Sequence, residues 1–201
     1  MSLALNRSDR RPLLVGGGIF LVLIVLGLLV SPPTDQELPT SYSAASGGTK
    51  AAFLLLEALG YQTHRWERPP VDLSEPQATT VIVAEPTDVQ EGDREALLRF
   101  VDAGGLLVVT GQTGATLVGL TGRAQPAMAL GWAAASAVAL SPITRAAPVI
   151  TLAPGSRLAP LASGRPIYAM GDLPVVVHVR RNKGDIYWWS SSTPMTSSPS
   201  A

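Results

Sequence analysis

Between residues 13 and 30 the chain reads LLVGGGIFLVLIVLGLLV, eighteen uncharged and nearly all apolar positions with no polar face. At about 1.5 Å rise per residue such a helix spans roughly 27 Å, close to the thickness of a bilayer's hydrocarbon core. Pro12 suits a first helical turn, and Pro32 and Pro33 end the helix. The pattern predicts a transmembrane helix over 12–30. Beyond it, SPPTDQELPTSYSAA (31–45) holds three prolines and few apolar residues, which reads as a linker.

From there the period changes repeatedly. Residues 47–59 have helical spacing and stop at Gly60. YQTHRW (61–66) and TTVIVA (79–84) read as strands, the second apolar enough to be buried on both faces. EGDREALLRFVDAGG sets Leu97, Leu98 and Val101 on one side and Arg94, Glu95, Arg99 and Asp102 on the other, an amphipathic helix closed by Gly104 and Gly105. LLVVTG (106–111) is a further buried strand. Helix, strand, strand, helix, strand with continuous apolar strands predicts an α/β domain with a mainly parallel sheet flanked by helices. Residues 112–147 are rich in Ala and Gly and their elements are not placed by pattern. PVITL, PVVVHVR and DIYWWS read as strands, the last two joined by an RNKG hairpin turn around Asn182 and Gly184.

Charge sets the orientation. Arg7, Arg10 and Arg11 precede the apolar run against a single Asp9, and Asp35 and Glu37 follow it. The positive-inside rule then keeps residues 1–11 as a cytoplasmic tail and carries the rest across as an extracytoplasmic domain. A cleaved signal peptide fits less well, because LLVSPP lacks the small residues of a cleavage site. The expected localisation is the cell membrane, single-pass. Formal net charge over the 201 residues is zero, so no basic excess is present to hold nucleic acid. The chain has no cysteine, which removes disulfides, thiolate metal sites and cysteine nucleophiles together, and only two histidines, His64 and His178. No metal and no cofactor are expected.

SGGTK (46–50) raises the question of a phosphate loop. A Walker loop needs G-x-x-x-x-G-K-[ST] after a strand, whereas here a Pro-rich linker precedes Gly47, Gly48, Thr49 and Lys50. The Rossmann glycine pattern is absent too. Two readings stay open: an anion held at the helix N-terminus, or Ser46 as helix cap with the glycines turning the linker into it.

SYSAASGGTKAAFLLLEALGYQTHRWERP, EALLRFVDAGGLLVVTG and GDIYWWSSSTPMT together resemble the domain of unknown function 4350 (DUF4350) family, over most of residues 40–196. The resemblance implies a class I glutamine amidotransferase-like, flavodoxin-like domain over 46–196, set between two membrane helices and working in a membrane assembly with a membrane protein partner. The family pattern continues past Thr196 with an Asn-containing turn, more domain and a second membrane helix. This sequence instead runs into a Ser/Pro tail at 197–201, consistent with a frameshift, a truncated gene or a shortened member.

Amidotransferase-like enzymes carry a nucleophile on a tight turn after a strand. The matching stretch here, VVTGQTGATL, offers only Thr113, with one residue too few for a G-x-S-x-G elbow. The expectation is a fold used without catalytic residues. Glu85 carries more weight, because it ends a buried strand, where open α/β sheets bind ligands. Pro86 and Asp88 follow it, and with Thr110, Gln112 and the hydroxyl run Ser190–Thr193 it would line one polar crevice. Trp188 and Trp189 are adjacent in a strand, so their rings face opposite ways; one can be core and the other needs cover from a helix, a partner or the membrane interface. The functional expectation is a membrane-anchored domain that binds a protein partner or a small ligand. The alternative is a cryptic hydrolase working near Glu85 and Thr113.

Overall fold

The computed structural model describes residues 40–196, except 45–46, 74–75, 77–78, 121–122, 127–130 and 160–162. Residues 12–30, where a transmembrane helix is expected, lie outside this set, as does Ser46. Among the described residues no helix is long and apolar enough to cross a membrane.

Four helices are described: α1 (Lys50–Ala58), α2 (Glu91–Asp102), α3 (Gly111–Leu117) and α4 (Pro142–Ala146). The strands are β1 (Thr80–Val83), β2 (Leu106–Thr110), β3 (Arg123–Pro126), β4 (Ala133–Ala137), β5 (Val149–Leu152), β6 (Ser156–Ala159), β7 (Arg165–Met170), β8 (Leu173–Arg181) and β9 (Gly184–Trp189). Seven of them form one sheet in the order β1-β2-β9-β8-β7-β4-β5, and β3 pairs with β6 apart from it.

This corrects the expected mainly parallel, helix-flanked sheet, and the flavodoxin-like, amidotransferase-like architecture with it. Only the β1–β2 and β2–β9 ladders are parallel; β9–β8, β8–β7, β7–β4 and β4–β5 are antiparallel. The physical reason lies in the connections. Gly171–Asp172 joins β7 to β8 and Asn182–Lys183 joins β8 to β9, and links this short can join only antiparallel neighbours. Asn182 takes the left-handed backbone (φ 48°) that the second turn needs.

Two buried clusters hold the sheet. In the first, Leu97, Leu98, Phe100 and Val101 of α2 and Ala115 and Leu117 of α3 pack on Leu107, Val109, Ile186, Trp188 and Val177. The second gathers Ala135, Leu152, Ile167, Tyr168, Val175 and Val176, with Tyr187 and Trp189 packed against it. Helix α2 and strand β2 fall where the pattern placed them. Strand β1 does not have two buried faces: it is an edge strand, with Thr80 and Ile82 exposed. YQTHRW (61–66) joins no ladder. Helix α1 contributes no buried residue to the domain, and its N-cap is Thr49 without a side-chain cap bond.

Candidate functional site

Strands β1 and β2 run parallel in register, Thr80 opposite Leu106 through Val83 opposite Val109. Their C-terminal ends therefore emerge together, and the chain leaving each one builds an open crevice. Glu85, Pro86 and Thr87 after β1 face Gly111, Gln112 and Thr113 at the start of α3, around a volume of about 310 Å³. Polar groups gather here because strand ends release backbone groups that must be satisfied.

Glu85 is the pivot. Its backbone sits in the left-handed region (φ 43°), uncommon for a residue with a side chain. Two contacts hold it there. Its N–H donates to Thr110 Oγ1 at 2.8 Å, inside the sheet's end. Its carboxylate Oε1 accepts from Ser192 N–H at 2.9 Å and from Ser192 Oγ at 2.8 Å. Gly111 (φ 75°) lies against it; a Cβ there would stand 3.2 Å from Glu85 Cγ. The Gly111 carbonyl in turn accepts the buried indole N–H of Trp188 at 2.8 Å.

The predicted site residues divide accordingly. Glu85, Thr110 and Gln112 come together, Glu85 and Gln112 lining the crevice and Thr110 buried beneath it. Thr113 lines the crevice as well, without a hydrogen bond to a base. Ser190 is buried. Thr193 turns the other way: its Oγ1 accepts from Ala153 N–H at 3.0 Å, just past β5, while Ser191 Oγ donates to the Ala153 carbonyl at 2.6 Å. Ser192, inside the expected hydroxyl run but not singled out, is the member that binds Glu85. Thr87 and Gly111 were not assigned to the site either; a glycine directly after an apolar strand is the one signal that marked the turn.

The neighbouring tryptophans point to opposite faces. Trp188 is fully buried in the first cluster and so presents no surface to a partner, while Trp189 is half-buried against the second. Neither histidine lines the crevice. His64 is exposed. His178 Nε2 lies 2.7 Å from Asp185 Oδ1 and its ring stacks on Tyr187 at 4.8 Å. Arg180 Nη1 reaches Asp185 Oδ2 at 2.6 Å. Burial pushes the Asp185 carboxyl up, but the hydrogen bonds from His178 and Arg180 outweigh it and hold the group below the usual carboxylate range. Burial raises the Tyr187 and Tyr168 hydroxyls. Among the described residues no cluster of His, Asp and Glu could hold a metal ion.

A family model described as Domain of unknown function (DUF4350) matches residues 41–198. The chain belongs to the DUF4350 family. No curated protein sequence matches it. Among solved structures the DUF4350 domain is similar to the mmIFT52 N-terminal domain, with a TM-score of 0.56 at 17% identity over 82% of this chain and 86% of that one. It also matches the exo-beta-1,4-mannosidase Op5Man5 from Opitutaceae bacterium strain TAV5, with a TM-score of 0.49 at 17% identity over 70% of this chain. A third match is the beta-galactosidase from Bacillus circulans sp. alkalophilus, with a TM-score of 0.44 at 17% identity over 57% of this chain. The DUF4350 chain spans only 25% and 20% of those two glycosidases. At these identities the likeness to mmIFT52 speaks for the fold alone.

Proposed function

We infer that this DUF4350 protein is a membrane-anchored, extracytoplasmic binding domain that works without catalysis, its crevice around Glu85 meeting a protein partner or a small ligand. The observation that carries the reading is the state of Glu85. Among the described residues it is the one carboxylate lining the crevice, and its Oε1 is already engaged by two donors of Ser192. This oxygen ties the end of β1 to the chain after β9, which gives Glu85 a structural role beside whatever its second oxygen meets. Among the described residues no histidine or lysine lines the crevice, and Thr113 makes no hydrogen bond to Glu85 across it. What remains is a concave surface of mixed polar and apolar lining at the ends of parallel strands, a common position for ligands and partners. The anchor rests on the apolar run 13–30 and its flanking charges.

The test is a photoreactive amino acid at Gln112 or Thr87, both exposed on the crevice rim, in the full chain in its native cells. The reading expects a discrete adduct, identified by mass spectrometry, that a reporter at Glu95 on α2 does not give. A hydrolytic activity lost on Thr113→Val, with the melting temperature unchanged, would replace it with the enzyme.

A further inference from the structure

Helix α1 is built the wrong way round for a water-facing helix. At 100° per residue, Ala51, Leu54, Leu55, Ala58 and Leu59 at its C-terminal cap share one arc, and all five are exposed, Leu54 at 49%, Leu55 at 60% and Leu59 at 64%. Glu57 lies on the opposite side. The half-covered residues are Ala52, Phe53 and Leu56, and none of α1 packs against either buried cluster. A solvated helix face carries charge; this one carries none.

The segment is nevertheless folded on itself. The Arg65 guanidinium lies over the Phe53 ring at 4.0 Å and the Tyr42 ring at 4.5 Å, and its Nε donates to Ser41 Oγ at 3.2 Å. Tyr42 Oη also donates to the Glu67 carboxylate. This clasp fixes the inner side of α1 and leaves the apolar arc outward. Past its C-terminal end Tyr61 (63% exposed) and Trp66 (42% exposed) are also open, with Arg68 stacked on Trp66 at 4.4 Å.

We propose that this outward face of α1 rests in the lipid interface of the membrane that carries the anchor. The proposal rests on the anchored reading given above. Three features select lipid over a protein partner. The arc offers no hydrogen-bonding side chain, whereas protein interfaces average about one hydrogen bond per 100–200 Å²; acyl chains ask for none. Lys50 at the start of α1 and Tyr61, whose N–H bonds the Leu56 carbonyl at its end, are residue types that settle at headgroup level. And α1 starts 20 residues beyond Val30, the end of the apolar run, so at most roughly 70 Å of chain separates the two.

The absence of native cysteine allows a clean test. Leu55→Cys, and Glu95→Cys on α2 as control, are spin-labelled in the full chain reconstituted into phosphatidylethanolamine/phosphatidylglycerol vesicles. Accessibility to oxygen and to a water-soluble nickel chelate is then compared. The expected result is a Leu55 label that gains oxygen access and loses nickel access, while the Glu95 label stays open to nickel. Equal nickel access at both sites, with the chain still resisting carbonate extraction, overturns the proposal and leaves the anchor standing. Spin–spin broadening at Leu55 without oxygen gain overturns it in favour of a second copy of the chain. Release of the chain by carbonate overturns the anchored reading and the proposal with it.

Discussion

Replacing Glu85 with glutamine removes a charge but keeps an acceptor oxygen in place, so it weighs the Glu85–Ser192 tie directly. The wild-type carboxylate accepts two hydrogen bonds, at 2.9 and 2.8 Å. Hydrogen bonds to a charged group contribute about 1.5–3 kcal/mol, roughly twice their neutral counterparts. The residue is only partly buried, which places the pair toward the low end. Glu85→Gln should therefore cost about 1–2 kcal/mol, and Ser192→Ala, which keeps the backbone donor, about 1 kcal/mol. For a domain of this size, 1 kcal/mol moves the melting temperature by about 2–4 °C. The two substitutions share one interaction, so the double variant should lose less than the sum of the singles.

The backbone at Glu85 adds a second, separable effect. Its left-handed φ of 43° costs a side-chain-bearing residue about 1–2 kcal/mol, a cost glycine avoids. Glu85→Ala keeps the strain and loses the tie, while Glu85→Gly loses the tie and the strain together. Glycine should then be the more stable of the two, by about 1 kcal/mol. Thermal unfolding of the full chain in detergent, followed by tryptophan fluorescence, measures all of these. The reasoning is refuted if Glu85→Gln and Ser192→Ala both melt with wild type and their effects simply add.

Other substitutions probe the same frame. Trp188→Phe removes the indole N–H bond to the Gly111 carbonyl, which keeps its helical partner in α3, at about 0.5–1.5 kcal/mol, and it should remove the most blue-shifted part of the emission. At Gly184 a Cβ would overlap the carbonyl oxygens of Val101 and Gly105; because both are backbone, Gly184→Ala should destabilise by about 3 kcal/mol or more, seen as a lower urea midpoint. Asp185, held below its ordinary value chiefly through His178 and Arg180, contributes stability that is full above the unfolded carboxylate pKa of about 3.9. That contribution is lost as pH falls through the lower folded value, so acid unfolding below about pH 4 should become shallower in Asp185→Asn.

The fold was legible where one element's pattern decided its own place. Helix α2 followed from Leu97, Leu98 and Val101 on one side, and the β8–β9 hairpin from its Asn182 turn. It was not legible where a neighbour decides. The run TTVIVA looks the same in a central strand and an edge strand; among the described residues no strand pairs outside it, and Ile82 is exposed. Strands β4 (AAASA) and β3 (RAQP) lack the β-branched residues by which strands are recognised, and that concealed how much of the sheet is antiparallel. In the site, Glu85, Thr110 and Gln112 were findable because strand ends attract polar function. Ser192 was indistinguishable from its neighbours, since spacing alone does not say which hydroxyl of a run turns inward.

The run Ser190–Thr193 also explains why one sheet holds together across its change from parallel to antiparallel pairing. Among the described strands β9 alone pairs in both senses, parallel to β2 and antiparallel to β8. The chain leaving it passes between the two halves. Ser192 binds Glu85 at the end of β1, and Ser191 and Thr193 bind Ala153 just past β5. Those two strands are the opposite edges of the sheet. Three consecutive hydroxyls thus reach both ends of a seven-stranded array from its middle. A polar cluster of this kind stabilises only when each member is satisfied, which ties Glu85 to architecture as firmly as to any ligand.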